Sequence, residues 1–212
     1  SNGAQHSDRP YPMFMGVPGL KVIAPTTPYD IKGMLKAAVR SDDPVICFED
    51  STLWIEKGEV PEDDYVVPLG RAAIRQPGDD VTVVAVAGAI RPTLDAAEEL
   101  ASDGVSVEVI DLRSLVPLDR TTILDSVSRT GRLVVVDPAH RTCSAASEIS
   151  ATVAEDAWGD LVAPIVRVTT PDIQVPVSPL LEADLYPTAQ KITVGIRRVL
   201  ESGAPRDSRK AR

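Results

Sequence analysis

The sequence predicts an α/β fold in two parts: the closing segment of one sheet, then a second, mostly parallel sheet covered by helices. Short apolar runs, among them VTVVAVA at 81–87 and LVVV at 133–136, alternate with amphipathic stretches long enough for helices. Strands separated by helices of that length pair in parallel through right-handed crossovers. Between Glu49 and Asp80 the pattern dissolves into text rich in Pro, Gly and acid (GEVPEDDYVVPLG), which reads as a linker and places a boundary there.

The elements follow in order. Residues 1–11 are polar and aperiodic and read as a loop. LKVIAP is an apolar run closed by Pro25, which predicts a buried strand. Thr27 offers a capping hydroxyl and Pro28 suits a first helical position, where its missing N–H costs nothing. Ile31, Met34, Leu35, Ala38 and Val39 then trace one apolar helical face that ends near Arg40, and Val45 to Phe48 is a second strand. Past the linker, strands are expected at 81–87, 105–110, 133–136 and 165–168. Helices are expected over 90–100 (Ile90, Leu94, Ala97 and Leu100 inward), after Asp119 as cap, over 145–158 (Ile149, Val153 and Ala157 inward) and over about 187–200. Gly131 sits where a helix end calls for a left-handed residue. The basic tail GAPRDSRKAR, 203–212, is expected to be disordered.

Composition excludes several classes. Lys+Arg 22 against Asp+Glu 31 leaves a net charge of −9, which disfavours nucleic acid or an anionic membrane as partner. No run approaches the roughly 20 apolar residues of a membrane span, and the first residues lack an export-signal pattern. Cys47 and Cys143 are too few and too far apart for a disulfide framework or a zinc site, so a reducing cytoplasm is expected. The turn AVAGAIRP carries neither a dinucleotide nor a P-loop fingerprint, and no G-x-S-x-G elbow occurs.

Few side chains remain as candidates for chemistry. His6, in GAQHSD, is either a solvated loop histidine or a proton-transfer group held against the α/β scaffold. His140 follows a strand's carboxyl end, where α/β sheets place ligands, but reads first as a loop or interface histidine. Ser41, Asp42 and Asp43 end a helix whose last carbonyls lack partners; they form a solvated acidic turn or a seat for a hard cation. Cys143, near a helix amino end but with no paired base, reads as structural. These residues reach no reaction by themselves.

Over GAQHS…VPGLKVIAPTTPYDIKGMLKAAVRSDDPVICFE the chain resembles the β subunits of thiamine-diphosphate-dependent 2-oxo acid dehydrogenases, the decarboxylating component acting on pyruvate or branched-chain substrates. The blocks Q-H-S, P-G-L-K-V and D-x-P-V stand in order. The likeness runs on through GEVPEDDYVVPLG, VIDLRSLVPLDRTTILDSVSRTGRLVVVD and VTTPDIQVPVSPLLEADLYPT, covering about Gly3 to Leu200. It implies the end of a pyrimidine-binding domain over 1–65 and a transketolase carboxy-terminal domain over 66–202. The chain would then be a carboxy-terminal portion, because the family's cofactor-activating glutamate lies upstream of His6.

The same resemblance implies that thiamine diphosphate acts in the full assembly, that its magnesium sits on an α subunit, and that no cofactor-binding residue lies in this chain. His6 matches the family's active-site histidine. Ala38, Ser41 and Asp43 match potassium ligands, with Ser41 in place of the usual aspartate. RTCSAASE departs from R-T-G-G-F-G-A-E while keeping Glu148, VVVD replaces V-V-H-E, and His140 precedes Arg141 where proline is common. The implied partners are an α subunit, a lipoyl-bearing acyltransferase core, and a second copy meeting through the carboxy-terminal domains. The apolar face of the 28–40 helix, needing cover, also points to association. Alternatives are an acetoin-type or transketolase-like thiamine enzyme, and a non-catalytic module for subunit assembly.

Overall fold

A computed structural model describes residues 3–202; the 203–212 tail lies outside the described residues. The amino-terminal segment is not a loop throughout: α1 (Gly3–Ser7) and α2 (Pro12–Met15) flank an extended turn. Tertiary packing orders it, since Tyr11 is buried and Tyr11 and Phe14 both lie against Phe48, with ring centroids 5.9 and 5.7 Å away. No periodicity could announce two isolated aromatic anchors.

The smaller sheet pairs β1 (Lys21–Ile23) in parallel with β2 (Val45–Cys47) across α3 (Pro28–Val39). Thr27 caps α3 as expected, its Oγ1 accepting from Asp30 N–H at 3.1 Å. The third strand comes from far along the chain: β6 (Ser114–Val116) pairs antiparallel with β1. The inward face of α3 also differs from the predicted one. Asp30, Gly33 and Met34 are buried, whereas Leu35 is 39% and Val39 86% exposed. Cover for Met34 comes from within the chain, where Val67 and Tyr65 of the acidic stretch lie across α3 and Tyr65 stacks on Tyr29 at 4.4 Å. A side chain at Gly33 would come within 2.5 Å of Val67. Lys36 and Arg40 fasten the strap by donating to Asp64 at 2.7 and 2.9 Å.

The larger sheet runs β3-β5-β4-β7-β8, with β3 (Ala73–Gln76) antiparallel at one edge and β5 (Val107–Asp111), β4 (Val81–Ala85), β7 (Leu133–His140) and β8 (Val166–Thr170) parallel. Its central strands are buried on both faces, which is why they are mostly apolar, the buried Thr82, Glu108 and Asp111 finding hydrogen-bond or ion-pair partners. One face packs Val84, Ile110, Leu133 and Val135 against α5 (Arg120–Thr130) and α6 (Ala145–Asp156) through Ile123, Val127, Ile149 and Val153. The other packs Val81, Val83, Val107, Val134 and Val136 against α4 (Ile90–Ala101) and α8 (Ala189–Ser202) through Ala97, Leu100, Ile192, Ile196 and Val199. A short α7 (Pro179–Ala183) precedes α8. Each such Val, Leu or Ile, taken fully from water, contributes about 1.5–3 kcal/mol. Asp119 caps α5 through Thr122 N–H at 3.2 Å, and Gly131 closes it at φ 70°, both as predicted.

Candidate active-site cleft

The chain following β2 and β4 converges on one cleft, at the carboxyl ends where α/β sheets carry their sites. Phe48 to Ser51 leave β2, Ala87 leaves β4, and His6, Arg9 and Tyr11 close the near wall around about 200 Å³. An adjoining lobe of about 270 Å³ shares Arg9 and Asp50 and adds Gly88, Pro138 and Tyr186. Ala87 holds φ 48°, a left-handed conformation that costs a non-glycine residue about 1 kcal/mol and persists only where the surroundings enforce it.

Arg9 and Asp50 form the centre of the cleft wall. The guanidinium meets Asp50 Oδ1 at 3.3 Å and Oδ2 at 3.4 Å, donates to Ser7 O at 2.5 Å, and lies 4.6 Å from the centroid of the Tyr186 ring. Asp50 also accepts from Thr52 N–H at 3.0 Å and from Gly88 N–H at 3.3 Å. Gly88 permits that approach, because a Cβ there would stand 2.6 Å from Asp50 Oδ2.

Behind the wall, Tyr11 donates to the buried carboxylate of Asp137, which also accepts from Ala139 N–H at 2.9 Å and Ala146 N–H at 3.0 Å. Burial, reinforced by the neighbouring Asp137 carboxylate, pushes the Tyr11 hydroxyl well above the ordinary phenol range, so it stays protonated and donates. Sequence reasoning singled out none of Arg9, Tyr11, Asp50 or Tyr186, and met Asp137 only as the last residue of VVVD. The one available signal was a charged residue and an aromatic within five positions of His6.

The predicted candidates scatter. His6 is exposed on α1 at the cleft wall. His140 ends β7, outside the residues lining the cleft, with Nε2 2.9 Å from Ile173 O, a contact that pins one loop to another. Cys143 is exposed at φ 55° just ahead of α6, and Glu148 is exposed in that helix's first turn.

Ala38, Ser41 and Asp43 do not fit a potassium ion. Lys21 Nζ stands 2.9 Å from Ser41 Oγ and 3.0 Å from Asp43 Oδ2, so a cation of the chain itself already engages those oxygens. Ala38 O accepts from Ser41 N–H at 3.1 Å. Within the cleft, the arginines pair with carboxylates of the chain itself. Arg9 is committed to Asp50, and Arg91 to Asp95 at 3.2 Å. What the cleft does present is an exposed imidazole beside a wall of buried, mutually bonded groups.

A helix-covered, mostly parallel sheet, whose chain leaves β5 to add β6 to a smaller sheet, with the cleft at their strand ends, is the transketolase class of architecture. The model for the transketolase carboxy-terminal domain matches residues 70–192, and that for the transketolase pyrimidine-binding domain matches residues 2–54. The chain belongs to the transketolase carboxy-terminal domain family. It is similar to the acetoin:2,6-dichlorophenolindophenol oxidoreductase subunit beta of Bacillus subtilis, 48% identical over 89% of this chain and 55% of that protein. It is also similar to the 2-oxoisovalerate dehydrogenase subunit beta of the same organism, 41% identical over 92% of this chain and 61% of that protein. The chain thus spans little more than half the length of these curated relatives. Among solved structures, a split gene transketolase, an inactive beta4 tetramer, superposes with TM-score 0.78 over 95% of this chain and 64% of that one; at 22% identity this likeness concerns the fold alone.

Proposed function

We propose that the chain is the carboxy-terminal portion of the β subunit of a thiamine-diphosphate-dependent 2-oxo acid dehydrogenase, its decarboxylating component, with His6 as the catalytic histidine. The observation that carries this is the place of His6, an exposed imidazole on the wall of the cleft where the chain leaving β2 and β4 converges. Beta-subunit relatives at 41–48% identity support the family part of the reading. In this reading an α subunit holds the diphosphate and its magnesium, a lipoyl-bearing acyltransferase core receives the acyl group, and two copies pair through their carboxy-terminal domains. We place the division between the two domains near residue 65 and the protein in the cytoplasm. No helix among the described residues is long and apolar enough to cross a membrane.

Thiamine diphosphate, held by the α subunit, would supply the nucleophilic carbon. The contribution of this chain is a proton: a ring nitrogen of His6 donates to the oxygen that turns from carbonyl to hydroxyl. The buried Tyr11–Asp137 wall behind it keeps solvent from that side. The 48% identity to an acetoin-oxidising subunit, above the 41% to the 2-oxoisovalerate subunit, favours a second substrate class, a 2-hydroxy ketone.

The full β subunit co-expressed with its α partner decides between them when assayed with pyruvate, 3-methyl-2-oxobutanoate and acetoin, using dichlorophenolindophenol as electron acceptor. His6→Ala should lower turnover by roughly 10²-fold or more, the usual worth of a positioned acid or base. His140→Ala should leave turnover near wild type, since its contact is a loop hydrogen bond. Survival of turnover in His6→Ala within about threefold would remove His6 from the chemistry.

A further inference from the structure

Resting on that reading of His6, we propose that Arg9 is a positioning residue, holding the short His6 helix at the cleft by tying it to Asp50 and Tyr186. α1 has five residues, too few to persist without outside contacts, so whatever fixes His6 must be tertiary. The last carbonyls of such a helix have no partner within it. Arg9 Nη1 satisfies one, Ser7 O, at 2.5 Å, directly after the histidine. The rest of the guanidinium leaves the segment: Nη2 and Nε meet Asp50 at 3.3 and 3.4 Å, Nη1 lies 3.4 Å from Tyr186 Oη, and the group lies over the Tyr186 ring.

Those anchors are themselves held. Asp50 accepts from Thr52 Oγ1 at 2.7 Å and from Gly88 N–H at 3.3 Å, just ahead of α4. Tyr186 donates to Glu182 Oε1 at 3.1 Å. The planar fork lets a single side chain meet three elements at once, which the point charge of a lysine cannot do. The Arg9 side chain is only 13% exposed and its donors face carboxylate, carbonyl and phenol, so it is spent on holding rather than presented to a ligand. On the far side, Tyr11 bonded to Asp137 fixes the next turn of the same segment. His6 therefore sits on a segment clamped from two sides, one clamp reaching Asp137 of β7 and the other reaching Tyr186.

With only two histidines in the sequence, imidazole NMR reads the two sites separately. In the 212-residue chain, Arg9→Gln should shift the His6 ring signals and narrow them to the line width of a free loop. The His140 signals, fixed by Ile173 O, should stay in place. Asp50→Asn should do the same, although Asp50 reaches α1 only through Arg9. Tyr186→Phe, a milder change, should do it in part, and Arg197→Gln on the remote face of α8 should do nothing. In the assembled enzyme, Arg9→Gln should lower kcat by about tenfold to a hundredfold with KM within about twofold, the pattern of a misplaced catalytic group. Unchanged His6 signals in both Arg9→Gln and Tyr186→Phe would overturn the proposal. Loosening of His6 with turnover intact would sustain the clamp and sink the catalytic reading of His6 instead.

Discussion

Asp30 lies fully buried at the first turn of α3, and both of its oxygens are engaged. Arg113 Nη1 donates to Oδ1 at 2.7 Å, Thr27 Oγ1 donates to Oδ2 at 2.6 Å, and Arg75 bridges Asp30 to the equally buried Asp111. Asp30→Asn would keep the shape and remove the charge. Arg113 would then keep the carbonyls of Arg71 and Ala72, at 3.1 and 3.0 Å, but lose its carboxylate. Removing one partner of a buried pair costs about 3–5 kcal/mol; because Arg75 retains Asp111, about 3 kcal/mol is expected. At about 2–4 °C per kcal/mol for a chain of this size, the midpoint of a circular-dichroism melt at pH 7 should fall by roughly 6–12 °C.

The sign of the pH dependence follows from the same contacts. Burial alone would raise the Asp30 carboxyl, but the hydrogen bonds from Thr27 and Arg113 and the charges of Arg75 and Arg113 outweigh it and hold it below 3.8. Its contribution is thus present above the unfolded value and is lost as pH falls through the folded one. The gap between wild type and variant should close in acid. Asp111, which burial pushes up, acts in the opposite sense, and the variant removes the Asp30 charge that helps to raise it. A midpoint shift below about 3 °C at pH 7, or a gap that widens in acid, would refute the account.

Two smaller perturbations test other parts of the fold. Asp119→Ala removes the cap of α5 and the acceptor for Ala72 N–H at 2.9 Å, and should cost about 1–2 kcal/mol by urea titration. Burial would raise Asp119, yet the hydrogen bonds from Ala72 and Thr122 hold it low, so that loss should shrink as pH falls below 3.8. Native thiol titration at pH 8 should register one fast cysteine, Cys143, which is exposed. Cys47, pushed by burial up to about 11, should react only on unfolding or in strong alkali, and two fast thiols in the folded chain would contradict this burial.

The larger sheet was legible because strands buried on both faces are predominantly apolar, as VTVVA and LVVV are. Caps were legible for a similar reason, since Thr27, Asp119 and Gly131 act through local geometry. Elements defined only by partners were not. β3 (AIRQ) has no apolar pattern and exists because β5 offers an edge, while β6 owes its pairing to β1, about ninety residues earlier. The inward face of α3 was misread because an ion-paired aspartate and a glycine under Val67 carry no hydrophobic signal. Among the site residues, His6 stood out by resemblance. Arg9, Asp50 and Tyr186 are common surface types whose meaning lies in their being brought together across 177 positions.

The pairing of β6 with β1 bears on what the carboxy-terminal part does. A strand from residues 114–116 completes the sheet that begins at Lys21, and Arg113, held at φ 51° immediately before it, reaches back to Asp30. Tyr11 reaches forward to Asp137, and Arg9 to Tyr186. The division we propose near residue 65 is then one of sequence segments and not of separable folding units. A part that served only for subunit pairing would need an outer surface, not buried carboxylates aimed at the segment that carries His6. Asp137 spends three acceptor contacts behind the cleft wall, on Tyr11, Ala139 and Ala146, at the desolvation cost of a fully buried carboxylate. That cost is intelligible where the position of the amino-terminal segment matters, which favours the catalytic reading over the assembly module.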